Sequence, residues 1–230
     1  MSGPSTTTLV PEAGPAARSP RWVRLLLLAG ALAAAVLVGG TGGLLLADHP
    51  RAAGPRPNAV DVGFAQDMTV HHRQAVTMAG WARDHSDDPA IRQLAFDIEL
   101  GQTEQIGRMQ GWLGLWSRAA MPPDEPMRWM RHDDYARHAA PGRTMPGMAT
   151  PAELDRLRSL SGPELDVYFL QLMIRHHQGG VPMLHAATGG AALGEVRNLA
   201  QQMLTAQTAE TRAMTAMLTE RDATPLPPPG

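Results

Sequence analysis

The sequence contains no cysteine and no lysine, and it is poor in aromatics: three Phe, two Tyr and five Trp in 230 residues. Without Cys there can be no disulfide, no thiolate metal site and no lipidated cysteine. Every basic side chain is Arg, as a GC-rich genome favours. The formal charge is -2, the pI is near 6.5, and no basic patch with interleaved aromatics occurs, so nothing points to nucleic acid. There is no nucleophile triad and no phosphate-cradling loop. Methionine, by contrast, occurs 14 times and histidine nine times. Met ordinarily fills gaps in cores; here it is common enough for its sulfur to count as a candidate ligand.

The chain divides by composition. Residues 1–20 are Pro, Ser, Thr, Gly and Ala without apolar periodicity and read as a disordered cytoplasmic tail. Residues 21–47 contain an uncharged apolar run from Leu25 to Ala47, long enough for a bilayer, which needs about 20 residues. Arg18, Arg21 and Arg24 precede the run and Asp48 follows it, so the positive-inside bias places everything after it outside the cytoplasm. The run exceeds the usual apolar region of a cleaved signal peptide, which predicts an uncleaved single-pass anchor in the cell membrane. Residues 48–57, with Pro50, Pro55 and Pro57, are a linker that includes His49. Residues 222–230 form a second disordered tail, its Pro225–Gly230 end too Pro-rich to pack.

Between them, 58–221 reads as helical. Positions 61, 64, 68, 71, 75, 78 and 82 form one stripe of a long helix capped by Asn58 with Asp61. Asp88-Pro89 opens a second, whose stripe runs Ile91, Leu94, Ala95, Ile98, Gln102, Ile106, Met109, Leu113 and ends near Trp116. Residues 117–150 are a Pro- and Met-rich crossover with room for a short helix around 126–138. Thr150-Pro-Ala-Glu153 predicts a capped short helix to about Ser159. Ser161-Gly-Pro-Glu164 predicts another capping box, on a helix fading at Gly189-Gly190, and a last helix spans about Leu193 to Glu220.

These helices are two copies of one unit. A shift of 105 residues places Asp61 on Asp166, Phe64 on Phe169, Gln66 on Gln171, Met68 on Met173, His71-His72 on His176-His177 and Met78 on Met183. The match continues through Gln102 on Gln207, Met109 on Met214 and Leu113 on Leu218. Two amphipathic hairpins bury their stripes most simply as an all-α four-helix bundle.

Each copy sets thioethers three, four and seven residues from its imidazoles, spacings that share a helix face. Thioether with imidazole selects Cu(I) and accepts Cu(II) at the imidazoles. Zinc prefers thiolate or carboxylate with imidazole, and a di-iron bundle would need Glu-x-x-His pairs, which this sequence lacks. A single soft-metal site fed by both copies is therefore expected, with Gln102, Gln207 and, less symmetrically, Asp67 as hydrogen-bond partners of the ligand imidazoles. His85, His132, His138 and His185 are expected to be solvated.

Phe64-x3-Met68-x2-His71-His72-x5-Met78, Met145-Pro-Gly-Met148-x-Thr150 and Phe169-x3-Met173-x2-His176-His177-x5-Met183 resemble the bacterial "domain of unknown function 305" family, over about residues 58–220. The resemblance implies a ferritin-like helical fold and an extracytoplasmic protein linked to copper binding and resistance. It implies as ligands His71, His72, Met78, Met109, His176, His177, Met183 and Met214, with Met68 and Met173 beside them and Met145 and Met148 as accessory donors. Copper-transport proteins would be its partners. Gly179-Gly180 stands where the family usually has Gly-Ala, and Pro182 lies inside the second His-His helix. Two other functions compete. A ferritin-like oxidase would have to draw on Asp67, Glu99, Glu104 and Glu210. A structural module would merely pack its His pairs.

Overall fold

The structure is a computed structural model that describes residues 21–47, 56–123, 125–130 and 145–227. The tail 1–20, linker residues 48–55 with His49, crossover residues 124 and 131–144 with His132 and His138, and residues 228–230 lie outside the described residues. The described part is all helical: α1 (Arg21–Ala47), α2 (Ala59–His85), α3 (Pro89–Leu115), α4 (Pro151–Ser159), α5 (Gly162–Gly190) and α6 (Gly194–Thr219). The chain falls into two units, Met1–Gly54 and Pro55–Gly230. In the first, α1 is long and apolar enough to cross a membrane, a test that signal sequences also pass.

In the second unit α2 packs on α3, α5 packs on α6, and the two hairpins meet through α2 and α5. The α2 stripe is buried along its whole length: Asp61, Phe64, Met68, His71, Ala75, Met78 and Ala82 are all inaccessible. On α3, Ile91, Ala95, Ile98, Gln102, Met109 and Leu113 are buried, with Leu94 and Ile106 half-buried. The core is two apolar clusters. One gathers Ala75, Met78, Ile91, Ile98, Leu165, Phe169, Met173, Met214 and Leu218. The other gathers Phe64, Met68, Met109, Leu113, Met145, Met183, Leu199 and Met203.

The internal repeat extends to the backbone. Both hairpins end in a left-handed residue at matched positions, Ser117 (φ 54°) and Asp222 (φ 52°). Both close with the same turn, Arg118 N–H to Leu113 O and Ala223 N–H to Leu218 O. Gln66 Nε2 then holds Ala119 O at 2.8 Å, and Gln171 Nε2 holds Thr224 O at 2.7 Å. Gln171 thus holds the start of the C-terminal segment, and Ala223 and Leu226 pack on the first cluster.

The hairpin loops are tied crosswise. Asp61 completes the capping box with Asn58 and also accepts from Ala192 N (3.0 Å) and Leu193 N (3.0 Å) at the start of α6. Its counterpart Asp166 accepts from Ser86 Oγ at 2.6 Å in the α2–α3 loop. Thr150 and Glu153 cap α4 as expected, whereas Ser161 makes no capping bond. Ser161 still occupies the N-cap position, and the next residue, Gly162, adopts φ +54°, outside the right-handed helical region. α5 runs through Pro182 as one helix. The crossover offers no helix in its described residues 125–130, which form turns, with Met127 at φ +67°.

Asp61→Ala removes a buried carboxylate from three backbone N–H groups on two elements. Hydrogen bonds to charged groups are worth about 1.5–3 kcal/mol each, so a loss of about 3 kcal/mol or more is expected in urea unfolding of the whole chain. A change under 1 kcal/mol would contradict the tie between α2 and α6.

Candidate metal centre

On each of the four hairpin helices a set of polar core residues lies between segments belonging to the two apolar clusters. On α2, Met68 is in one cluster and Met78 in the other, with His71 and His72 between; α5 repeats this with Met173, His176-His177 and Met183. Gln102 and Gln105 on α3, and Gln207 and Glu210 on α6, occupy the same level. The result is a polar layer across the middle of the bundle.

All four imidazoles are buried. His71 and His176 stack across the α2–α5 contact, with ring centroids 3.8 Å apart and planes tilted by 36°. Their partners fix their orientation. His176 Nε2 donates to the His71 carbonyl (3.0 Å) and His71 Nε2 to Pro146 O (3.3 Å). His72 Nε2 donates to Gln105 Oε1 (2.7 Å), and His177 Nε2 to Glu210 Oε2 (2.6 Å). A carbonyl or carboxylate oxygen only accepts, so the proton sits on Nε2. Nδ1 of all four rings is buried with no partner. Burial pushes His71 down to about 3, aided by the nearby His72 charge. Burial likewise pushes His72 down to about 4, against the upward pull of Gln105. His176 is held well below its usual value, first by burial and then by the neighbouring imidazoles. These three rings are neutral at pH 7, and each presents an unshared Nδ1 lone pair.

The turn Met145–Met148 closes one side of the layer. Met148 N–H bonds Met145 O at 3.3 Å, and Gly147 takes φ +78°, where only Gly is at ease. A Cβ on Gly179 would lie 2.1 Å from Pro146 O, so this backbone approach requires Gly. Gln74 clamps the next residue in both directions, its Nε2 to Ala149 O (2.8 Å) and its Oε1 from Ala149 N (2.6 Å). Arg175, beside His176, pairs bidentately with Glu153 at 2.7 and 2.8 Å and holds that carboxyl down at about 2.

The candidate ligands are therefore placed as follows. His71, His72, His176 and His177 share the layer. Met68, Met109, Met145 and Met183 lie in one flanking cluster with Met148 at its edge, and Met78, Met173 and Met214 in the other. The thioethers thus do not surround one point. Met68 and Met78 share a helix, and ten residues of helix span about 15 Å, so the internal twofold carries like sulfurs to opposite sides of the layer. Among the described residues no three His, Asp or Glu side chains form a cation-holding group.

The expected imidazole partners are also corrected. Gln102 has both side-chain polar atoms without a partner, as has Gln207 Oε1. The bonds to the rings come instead from Gln105 and Glu210, one turn further on and themselves a matched pair, the signal by which they could have been found. Asp67 makes no hydrogen bond to His71; its Oδ2 accepts from Met127 N (2.6 Å) and Trp129 Nε1 (2.7 Å) and anchors the crossover. Burial raises the Asp67 pKa, partly offset by those two donors. His85, stacked on Trp81, and His185 are exposed as expected.

Residues 61–218 match the family "Domain of unknown function (DUF305)". The chain belongs to this family. It is 42% identical to a DUF305 protein of Streptomyces coelicolor described as secreted, over 73% of this chain and 96% of that one, with a TM-score of 0.65. CopM in its Cu(II)-bound form is 26% identical over 70% of this chain and 96% of that one, with a TM-score of 0.55. An uncharacterized protein of Acanthamoeba polyphaga mimivirus is 38% identical over 53 residues, 23% of this chain, so the chain spans about a third (35%) of that relative's length.

Two outcomes follow from the layer. His71, His72 and His176 have folded pKa values below the unfolded one, so the stability they contribute is full above about pH 6.5 and is lost as pH falls. Each ring costs about 1.4 kcal/mol per pH unit until its folded value is reached. Urea unfolding of metal-free protein should show a steep loss between pH 7 and pH 5; a flat profile would contradict neutral burial. Gly179→Ala should cost about 2–3 kcal/mol by overpacking against backbone, and Gly180→Ala less, because its Cβ meets only the His71 and Gln207 side chains at 3.3 and 3.4 Å. Equal effects would contradict the close turn.

Proposed function

We propose that this chain, a member of the DUF305 family, is a membrane-anchored, extracytoplasmic copper-binding protein that sequesters the ion or passes it to copper-transport partners in copper homeostasis or resistance. One observation carries the reading: four buried imidazoles, aimed by bonds at Nε2, leave Nδ1 without a partner in a layer flanked on both sides by thioethers. An orphaned buried polar atom costs about 1–3 kcal/mol. Four at matched positions are expensive as packing and well suited as ligands.

His71, His72, His176 and His177 would supply nitrogen; Met68, Met109 and Met183 on one side, and Met78, Met173 and Met214 on the other, would supply sulfur, with Met145 and Met148 as accessory donors. This mixture favours Cu(I) and accepts Cu(II) at the imidazoles. The likeness to Cu(II)-bound CopM supports copper. The secreted relative supports an extracytoplasmic place, and α1, preceded by Arg18, supports an anchor in a ferritin-like four-helix protein. Copper is cargo in this reading. Of the carboxylates that an oxidase would use, Asp67 is engaged with the crossover and Glu99 with Arg83, Glu104 is exposed, and Glu210 meets an imidazole. The packing-only alternative leaves the four Nδ1 atoms unexplained.

Cu(I) titration of the full chain against a competing chelator tests the proposal. Replacing His71, His72, His176 and His177 by Ala should lower affinity at least about tenfold, roughly 1.4 kcal/mol. Replacing Met68, Met78, Met109, Met173, Met183 and Met214 by Leu, a volume-conserving change that cores tolerate, should weaken Cu(I) more than Cu(II). Unchanged Cu(I) affinity in the folded Leu variant would remove the sulfur sites, and unchanged affinity in both would remove the function.

A further inference from the structure

The repeat supplies an internal control for the metal-binding layer. Its central imidazoles, His71 and His176, stack on each other. The outer two, His72 and His177, are furnished alike. His72 has Met68 four residues before it on α2, and its partner Gln105 has Met109 four residues after it on α3. His177 has Met173 four residues before it on α5, and its partner Glu210 has Met214 four residues after it on α6. Residues four apart share a helix face. Met68 and Met109 lie in one apolar cluster and Met173 and Met214 in the other, all four inaccessible. Each half therefore offers one outer imidazole with two thioethers of its own hairpin.

The halves differ in the atom behind the ring. His72 Nε2 donates to an amide oxygen at 2.7 Å, whereas His177 Nε2 donates to a carboxylate oxygen at 2.6 Å. The two acceptors stand at matched positions and both are half-buried. Orientation does not ask for the difference, since the amide orients its ring equally well. The carboxylate is not neutralised from outside the layer. Among the described residues no Arg pairs with Glu210, whose ion-pair partner is His177 itself. Ala206, Gln207, Ala213 and Met214, one turn either side of it, carry no charge, and Arg212, two residues on, is on another face. The first half has no equivalent charge behind its ring. Glu104 is exposed and, as the neighbour of Gln105, is on another face; Asp67 is committed to Met127 and Trp129. A carboxylate behind a ligating imidazole makes the ring a stronger donor. Its charge favours Cu(II), which carries one positive charge more than Cu(I), whereas thioethers favour Cu(I).

We propose that Glu210 is a positioning residue that sets an oxidation-state preference: acting through His177 it fits the second half of the layer to Cu(II), while the His72–Gln105 half is left to Cu(I). The inference rests on the copper-binding function proposed above, and it makes the two halves of the repeat inequivalent in chemistry.

The test titrates the full chain, in detergent, with Cu(I) and with Cu(II) against competing chelators, and measures the midpoint potential of the bound copper. Glu210→Gln keeps an oxygen acceptor for His177, as Gln105 does for His72. It should lower the ratio of Cu(II) to Cu(I) affinity about tenfold, the low end for loss of such a partner, and so raise the potential by about 59 mV. Gln105→Glu is made together with Arg108→Ala, because Arg108, one turn on, would pair with the new carboxylate; the pair copies Glu210 and Ala213 of α6 into α3. This variant should raise the ratio about tenfold. All three changes together should return the ratio to that of the parent and exchange the halves. In the parent, His177→Ala should cost more Cu(II) affinity than His72→Ala; in the exchanged chain the order should reverse. Circular dichroism reports that each variant is folded. In a chain that binds copper, a ratio unmoved by Glu210→Gln, or an order of the two His variants that the exchange does not reverse, would overturn the proposal; a purely structural role for Glu210 predicts both. A parent chain that binds neither ion would remove the function itself, and this inference with it.

Discussion

Four imidazoles are buried across the middle of a helical bundle, and the rest of the structure follows from the cost of keeping them neutral and bonded. A buried imidazole cannot ionise cheaply, and a buried N–H must find an oxygen. The Nε2–H groups find theirs in four separate places: a loop carbonyl, a helix carbonyl, an amide and a carboxylate. Each acceptor is on a different element from the ring it serves. The helices are thereby held in one axial register, since a slide of one residue, about 1.5 Å, would break the set.

The same need explains the strap from Met145 to Glu153. His71 requires an acceptor at a point where α5 offers no free group, and Pro146 O is delivered there by a turn with Gly at its left-handed corner. Close passage over α5 needs a residue without a side chain at 179. Gln74 and Arg175 then clamp the end of the strap. The crossover is in this respect a structural part of the layer. It also breaks the internal symmetry, as does the exchange of Gln105 for Glu210, which places a carboxylate against an imidazole in the second half only.

Much of this was legible beforehand. The stripe from Asp61 to Ala82 is buried at every position, because helical periodicity is a direct record of which face meets the core. The expected helix ends near Trp116 and Glu220 are the C-cap residues of α3 and α6. Side-chain partners were less legible. Gln102 and Gln207 looked like the imidazole acceptors because they interrupt apolar stripes, but Gln105 and Glu210, one turn away, bond His72 and His177, and backbone carbonyls serve the other two rings. Periodicity reports a face to within about a turn, whereas a hydrogen bond is decided over tenths of an ångström. Asp67 was misjudged for a related reason: its ligands come from 60 residues away in the crossover, where no pattern in the sequence points back to it.

The sequence alone determined the helices, their caps at Asn58 and Thr150, the pairing of like hairpins and the inward placing of His and Met, since each depends on neighbours within one or two turns or on the repeat itself. Only the tertiary structure decided that the sulfurs divide into two groups on either side of the imidazoles. It alone decided which nitrogen of each ring is left free, and that Pro146 reaches His71 across a bare stretch of α5. Those outcomes depend on how antiparallel hairpins cross and on where a distant carbonyl comes to rest, and a linear pattern holds neither.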